Sequence, residues 1–210
     1  MVSIVEALRT DTNLIQKIQR KLPHLFQIAE LESSRAGRIG QEVGSLRERI
    51  LVALFIYKFG EINVDTEIPI TEPGVDVRVH GVPISIKTLT SSHFAGVKLV
   101  WTVDAENAKQ FQTQYHPACD MLFVQIIWGH RGELFYIPHH AQEEVFNRVG
   151  RERYIKLPPL GKNPRGAEIT SEALEALVRH KETLAIDINW RKELIQFNAY
   201  ERWVQYWQNE

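Results

Sequence analysis

The chain has 210 residues, 44% hydrophobic, 24% charged, with a formal net charge of −1. That is enough apolar content for one large α/β core, and it argues against a protein that coats DNA through bulk positive charge. A single cysteine, Cys119, excludes an intramolecular disulfide framework and a CxxC zinc site and points to a reducing compartment, while Met1 to Arg20 lacks a signal-peptide pattern and the longest apolar run, Ile50 to Tyr57, is too short to span a bilayer.

The first forty residues read as short helices. Ser3 with Glu6 forms a capping box, Asp11 or Thr12 starts a second stretch through Leu14, Ile15, Ile18 and Leu22, and Pro23 opens a third at its first turn. Residues 33–40 are small, polar and basic, the composition of a loop. From Gln41 to Phe59 the spacing of Leu46, Ile50, Ala53, Leu54 and Tyr57 predicts a helix stopped by Gly60, apolar enough to be central. Ile62 to Ile70 reads as a strand.

Val75 to Val79 then alternates apolar with polar, His80-Gly81 turns the chain, and Val82 to Lys87 alternates again, which predicts a two-residue hairpin. Val97 to Val103 is a further strand with Trp101 in its core, leading into a polar helix from Asp104 or Ala105 to about Tyr115. The apolar run from Met121 to Trp128 is a buried central strand, followed by a turn into Leu134 to Ile137. Residues 161–166 form a basic loop, Thr170 to His180 a capped helix, and the tail from Trp190 a helix that packs on the domain or on a second subunit. No repeat or linker interrupts the chain. We therefore expect one domain over 1–210: a helical N-terminal part (1–40), a core at about 41–137 and a helical C-terminal part at about 138–210. The fold class is α/β with α+β character, a central mixed sheet flanked by helices.

The hairpin carries the chemistry. If Val79 pairs with Val82, Asp76 lies opposite Ser85 and Lys87 joins them on one face, while Val75, Val77, Ile84 and Ile86 bury the other. An acid, a hydroxyl and an amine on one face can hold a divalent metal against a phosphodiester. Mg²⁺ takes oxygen ligands and retains several waters, so the Asp76 carboxylate and the Ile86 backbone carbonyl suit it, with Lys87 placed to orient water or to offset phosphate charge.

Gly-Val-Asp76, a short hairpin and Ser85-Ile-Lys87 resemble the motif of the PD-(D/E)xK nucleases, and Gly44-Ser-Leu-Arg-Glu48 resembles the glutamate-bearing helix that precedes that hairpin. The sequence departs from the pattern at two places. Val75 precedes Asp76 where proline is usual, and Ser85 stands where an acid is usual. Glu48 is the first candidate for the missing carboxylate, followed by Glu72, Asp104 and Glu106. The stretches from Glu32 to Gly40, Pro83 to Thr88 and Trp101 to Asp104 most resemble type II restriction endonucleases, with the ThaI-type branch as the candidate subgroup.

The resemblance implies a restriction-endonuclease-like fold. It also implies a cytoplasmic, Mg²⁺-dependent homodimer, with Mn²⁺ able to substitute, that cuts double-stranded DNA at a short palindrome and works beside a cognate DNA methyltransferase. Arg35, Arg38, Gln41, His93, Lys162, Asn163 and Arg165 are candidates for DNA contact by residue type and loop placement, phosphate contacts being more numerous than base contacts. Two alternatives share these residues: a DNA-repair or junction-resolving nuclease, and a DNA-binding protein whose nuclease core has lost activity at Ser85.

Overall fold

The computed structural model describes residues 2–35, 38–39, 42–72, 74–102, 104–158 and 166–209, with backbone alone at Arg35 and Arg38. In chain order the elements are α1 (Ile4–Thr10), α2 (Thr12–Ser33), β1 (Ser34–Arg35), β2 (Arg38–Ile39), α3 (Val43–Phe59), β3 (Val64–Asp65), β4 (Val77–Val79), β5 (Val82–Thr90), β6 (Lys98–Val100) and α4 (Ala105–Gln114). They continue with β7 (Asp120–Ile126), β8 (Arg131–Ile137), α5 (His139–Val149), α6 (Arg151–Tyr154), β9 (Ile155–Lys156), β10 (Ala167–Ile169), α7 (Ser171–Val178), β11 (Leu184–Asn189) and α8 (Glu201–Gln208). Six strands form the main sheet in the order β11-β8-β7-β5-β4-β3, and β6, β10 and β9 form a separate small one. The β5–β7 pair is parallel and its neighbours are antiparallel, so the sheet is mixed as expected.

Alternation along the strands divides the core between the two faces of this sheet. Val77, Val79, Ile84, Ile86, Leu122 and Val124 face α1, α2 and α3 in one apolar cluster, whereas Met121, Phe123, Phe135 and Ile137 face α5, α7 and the small sheet in another. Ser85 and Lys87 have the parity of the second face.

Among the described residues, side-chain caps close four of the eight helix starts. Ser3 accepts from the Glu6 N–H, Asp11 from Leu14, Asp104 from Glu106 and Asn107, and Thr170 from Ala173. The expected break at Pro23 does not occur: α2 runs unbroken across it. Pro23 is itself buried beside Leu22, in a stripe with Leu14, Ile18, Phe26 and Ala29, and burying that stripe outweighs one lost hydrogen bond.

Three further expectations change. Helix α3 is not central; it buries only Arg47, Leu51 and Phe55, one residue per turn, and leaves Ala53 and Tyr57 exposed, because it covers one face of the sheet with its back to solvent. The strand over Ile62–Ile70 shrinks to β3, since β4 offers pairing only at Val79 and Arg78. The C-terminal part is not purely helical: it supplies β9, β10 and β11, the last pairing with β8 from Arg131 to Tyr136. None of the α8 side chains is buried on its own chain.

A buried ion pair ties the helical layer to the sheet. Glu30 on α2 and Arg47 on α3 are each 4% exposed, and their side chains meet at 2.6 Å. Glu30 also accepts from Trp128 Nε1 at 2.7 Å and from Lys192 at 3.1 Å, and Arg47 reaches Thr90 Oγ1 at the end of β5 at 3.0 Å. Removing one partner strands the other charge. Glu30→Ala is therefore expected to cost about 3–5 kcal/mol of unfolding free energy, read from the urea midpoint at unchanged denaturant slope. A shift below about 1 kcal/mol, the size of an exposed pair, would show that Arg47 is compensated by other means.

Candidate active site

The hairpin forms in the expected register, Val79↔Val82 and Val77↔Ile84. Its turn places His80 at φ 51° and Gly81 at φ 80°, the left-handed pair that a two-residue connection needs to match strand twist. Pro83 falls opposite Arg78, between the hydrogen-bonded pairs, where its missing N–H breaks no rung of the ladder.

Beyond Val77 the chain leaves the ladder. Asp76 still donates its N–H to the Ile84 carbonyl at 2.9 Å, but β5 continues alone to Thr90, paired only with β7 on its far side. The edge of β5 is thus open from Ser85 onward. The Ile86 N–H points into this gap, and the Asp76 carboxylate accepts it: Oδ2 lies 2.5 Å from Ile86 N, 3.3 Å from Ser85 Oγ and 3.5 Å from Lys87 Nζ. An extended residue sends its N–H and C=O toward the same edge, so the Ile86 carbonyl shares this opening.

These groups line a cleft of about 1010 Å³. Gly44, Ser45 and Glu48 form the wall at the start of α3, and Asp76 with Ser85 to Thr88 forms the centre. Gly96 to Trp101, with Phe111, Gln114, Tyr115 and His116 from α4 and the segment after it, forms the opposite wall. Burial, and next to it the charge of Asp76, pushes the Glu48 carboxyl above its ordinary value, while Lys87 and Arg49 pull it down. Glu48 is therefore close enough for both hairpin charges to bear on it.

The other acids proposed from sequence lie elsewhere. Glu72 pairs with Arg78, Asp104 caps α4, and Glu106 is exposed in the first turn of that helix. His93 is exposed in the loop after β5, its N–H bonded to Ser91, and is not among the cleft residues. Arg35 and Arg38 face each other across the β1–β2 hairpin by backbone register, and Gln41, Lys162, Asn163 and Arg165 lie outside the described residues. Cys119, in the floor of the cleft, is a thiol pushed up to about 11 mainly by burial. It stays protonated at neutral pH and is a poor nucleophile or metal ligand.

Sequence reasoning missed Trp101. Expected in a strand core, it is 69% exposed on the cleft wall, because β6 ends at Val100 and pairs with β10 outside the main sheet. Ser45 and Gln114 also line the cleft without a motif to mark them.

Among the described residues no group of three or more His, Cys, Asp or Glu side chains is gathered for a metal. Two acids, Asp76 and Glu48, share the cleft, and the charge of Asp76 adds to burial in raising the cost of ionising Glu48. With a neighbouring main-chain carbonyl they make an oxygen donor set that suits a hard divalent cation retaining much of its water, and not zinc.

The comparisons with known proteins bear on the whole chain. A family model described as "Restriction endonuclease ThaI" matches residues 8–209. No curated protein sequence matches. A solved structure described as "Restriction endonuclease in complex with substrate DNA" is 53% identical, superimposes with a TM-score of 0.90 and shares 97% of each chain.

The raised Glu48 carboxyl gives a signed expectation. Between the ordinary glutamate value of 4.5 and its raised one, the folded protein binds more protons than the unfolded chain, so stability falls as pH rises through that window. Glu48→Gln is expected to flatten this limb of the thermal-midpoint curve measured in chelator. An unchanged limb would assign the proton to another group.

Proposed function

The chain belongs to the ThaI family of restriction endonucleases and is a site-specific DNA nuclease, and on that premise we propose that the Asp76–Ser85–Ile86–Lys87 hairpin, with Glu48, is its Mg²⁺-dependent catalytic centre for cutting both strands of a short palindromic duplex. The observation that carries this reading is the meeting of Asp76 with Lys87 Nζ at 3.5 Å and Ile86 N–H at 2.5 Å on an open strand edge, inside the cleft that Glu48 lines. Family membership favours the restriction-type reading over the repair-nuclease alternative, and plasmid digestion tests it against an inactive binder.

Asp76, Glu48 and the Ile86 carbonyl would hold the ion; Mn²⁺ would be accepted by the same oxygens. Bound there, the ion supplies a Lewis acid that polarises the phosphoryl oxygen and lowers the pKa of a coordinated water. The protein's own groups do the rest. Lys87, held beside Asp76 on the strand face, orients the attacking water and offsets the charge growing on phosphate. The Ile86 N–H holds the Asp76 carboxylate at the strand edge through Oδ2. Ser85, 6% exposed, donates to that carboxylate instead of ligating as an acid would, which leaves Glu48 as the second carboxylate.

Each chain offers one such cleft, and a duplex has two scissile phosphates, so a symmetric pair of chains cuts both strands with one centre each. The exposed α8, with Trp203, Val204, Tyr206 and Trp207 all at least 48% exposed, favours the second-subunit alternative for the C-terminal helix. DNA contacts from Arg35, Arg38, Gln41, His93, Lys162, Asn163 and Arg165 remain part of the proposal, as do a cytoplasmic location and a partnering methyltransferase that would protect host sites. Among the described residues no helix is long and apolar enough to cross a membrane.

Digestion of a sequenced plasmid in Mg²⁺, followed by end mapping, is expected to give discrete fragments with one recurring sequence at every end. Asp76→Asn keeps an acceptor for the Ile86 N–H but removes the charge, and Lys87→Ala removes the ammonium. Each is expected to lower the cleavage rate by about a hundred-fold or more while the circular dichroism spectrum and thermal midpoint stay close to those of the parent. Full activity in either purified variant would remove that residue from the centre.

A further inference from the structure

Trp101 stands out among the residues of the cleft. It is a large apolar side chain, 69% exposed, on the wall facing Glu48 across Asp76 and Lys87. Its exposure is built in. The Lys98 ammonium sits 4.8 Å from the centre of the indole and is held there by Glu168 at 2.9 Å, so a neutralised cation occupies one face of the ring and leaves the rest open. The backbone beneath is filled as well: a Cβ on Gly166 would lie 1.8 Å from the Val100 carbonyl oxygen and 3.0 Å from Trp101 Cα. Gly166 adopts φ +93°, a conformation that disfavours other residues, and so lets β10 close on β6 at this point.

We propose that the open face of the Trp101 indole is a seat for the DNA strand, packing on the deoxyribose or base of a nucleotide beside the phosphate that reaches Asp76 and Lys87. This rests on the nuclease reading of the cleft and adds a contact the catalytic motif does not contain. The chemistry selects the partner. The negative face of the ring disfavours phosphate oxygens, and the apolar parts of a DNA strand are its sugars and base faces. Trp101 and the hairpin share one cleft, so a strand held at one passes the other. An aromatic contact of this kind is tolerant of sequence; it positions the strand without reading it.

The test uses the full-length protein and a duplex carrying the mapped cleavage site, in chelator so that binding is read without cleavage. Trp101→Ala is expected to weaken binding about 5- to 100-fold, Trp101→Phe to recover most of it, and both to keep the parental thermal midpoint because the side chain is largely in solvent. The DNA-induced change in tryptophan fluorescence seen with the parent is expected to shrink in Trp101→Phe, a readout that does not depend on how well the alanine variant folds. Duplexes with an abasic nucleotide scanned across the site separate the two chemistries. A base contact makes parent and Trp101→Ala equal at one position, and a sugar contact preserves their difference at all. Equal affinity of parent and Trp101→Ala for the intact duplex, with an unaltered fluorescence response in Trp101→Phe, would overturn the proposal and leave the nuclease reading standing. A parent that neither cuts plasmid nor binds duplex would overturn both.

Discussion

The unpaired edge of β5 is the constraint around which the rest of the site is arranged. A nine-residue strand meets a three-residue neighbour, so the ladder runs out just where Ile86 presents its main-chain donor and acceptor. An edge of this kind invites pairing with another chain unless something occupies it. Here the Asp76 carboxylate satisfies the donor, and by doing so it brings a negative charge beside the outward-facing carbonyl and the Lys87 ammonium. The truncation of one strand thus creates both the opening and the charge that fills it.

Electrostatics on the two sides of the sheet serve different ends. On the α2–α3 side, Glu30 and Arg47 are closed off from solvent and answer each other directly, with Thr90, Trp128 and Lys192 as further partners. Such a pair adds little net stability over an apolar substitute but fixes how the layers sit. Arg47 precedes Glu48 in α3 and grips the same strand that carries Lys87, so the helix that brings the second carboxylate is set against that strand in a definite rotation. In the cleft, which the start of α3 lines, Asp76 and Glu48 lack that closure. There the charge of Asp76 adds to burial in raising the Glu48 carboxyl, while Lys87 and Arg49 lower it.

Much of this was legible in the sequence because it is local. Period-two alternation, a His-Gly turn and the fixed offsets of Asp76, Ser85 and Lys87 are consequences of strand geometry, and the register follows from them without tertiary information. Glu48 was reachable through the order of helix and hairpin. The failures share a cause, since each depends on what lies across from a segment. Pro23 sits inside a helix because its neighbours are buried together. Ile62 and Ile70, 95% and 98% exposed, look like strand residues until their partner ends. Trp101 alternates like a core residue, but β6 pairs with β10, from which it is separated by more than sixty positions in the chain. The strand over Leu184–Asn189 carried a readable alternation that the helical expectation for the tail obscured.

Parallel pairing of β5 with β7 has a consequence for how such a protein can change. Two parallel neighbours cannot be joined by a tight turn; the chain must travel back along the sheet before it re-enters. The return path between Thr90 and Asp120 is the stretch that supplies the wall from Gly96 through α4 to His116. Its ends are pinned at opposite ends of one ladder, Thr90 against Ile126 and Asp120 against Ile84, while much of its middle faces outward. Mutation can therefore remodel this wall in length and composition while the hairpin beside it keeps its geometry, so the two sides of the cleft can change at different rates within one continuous chain.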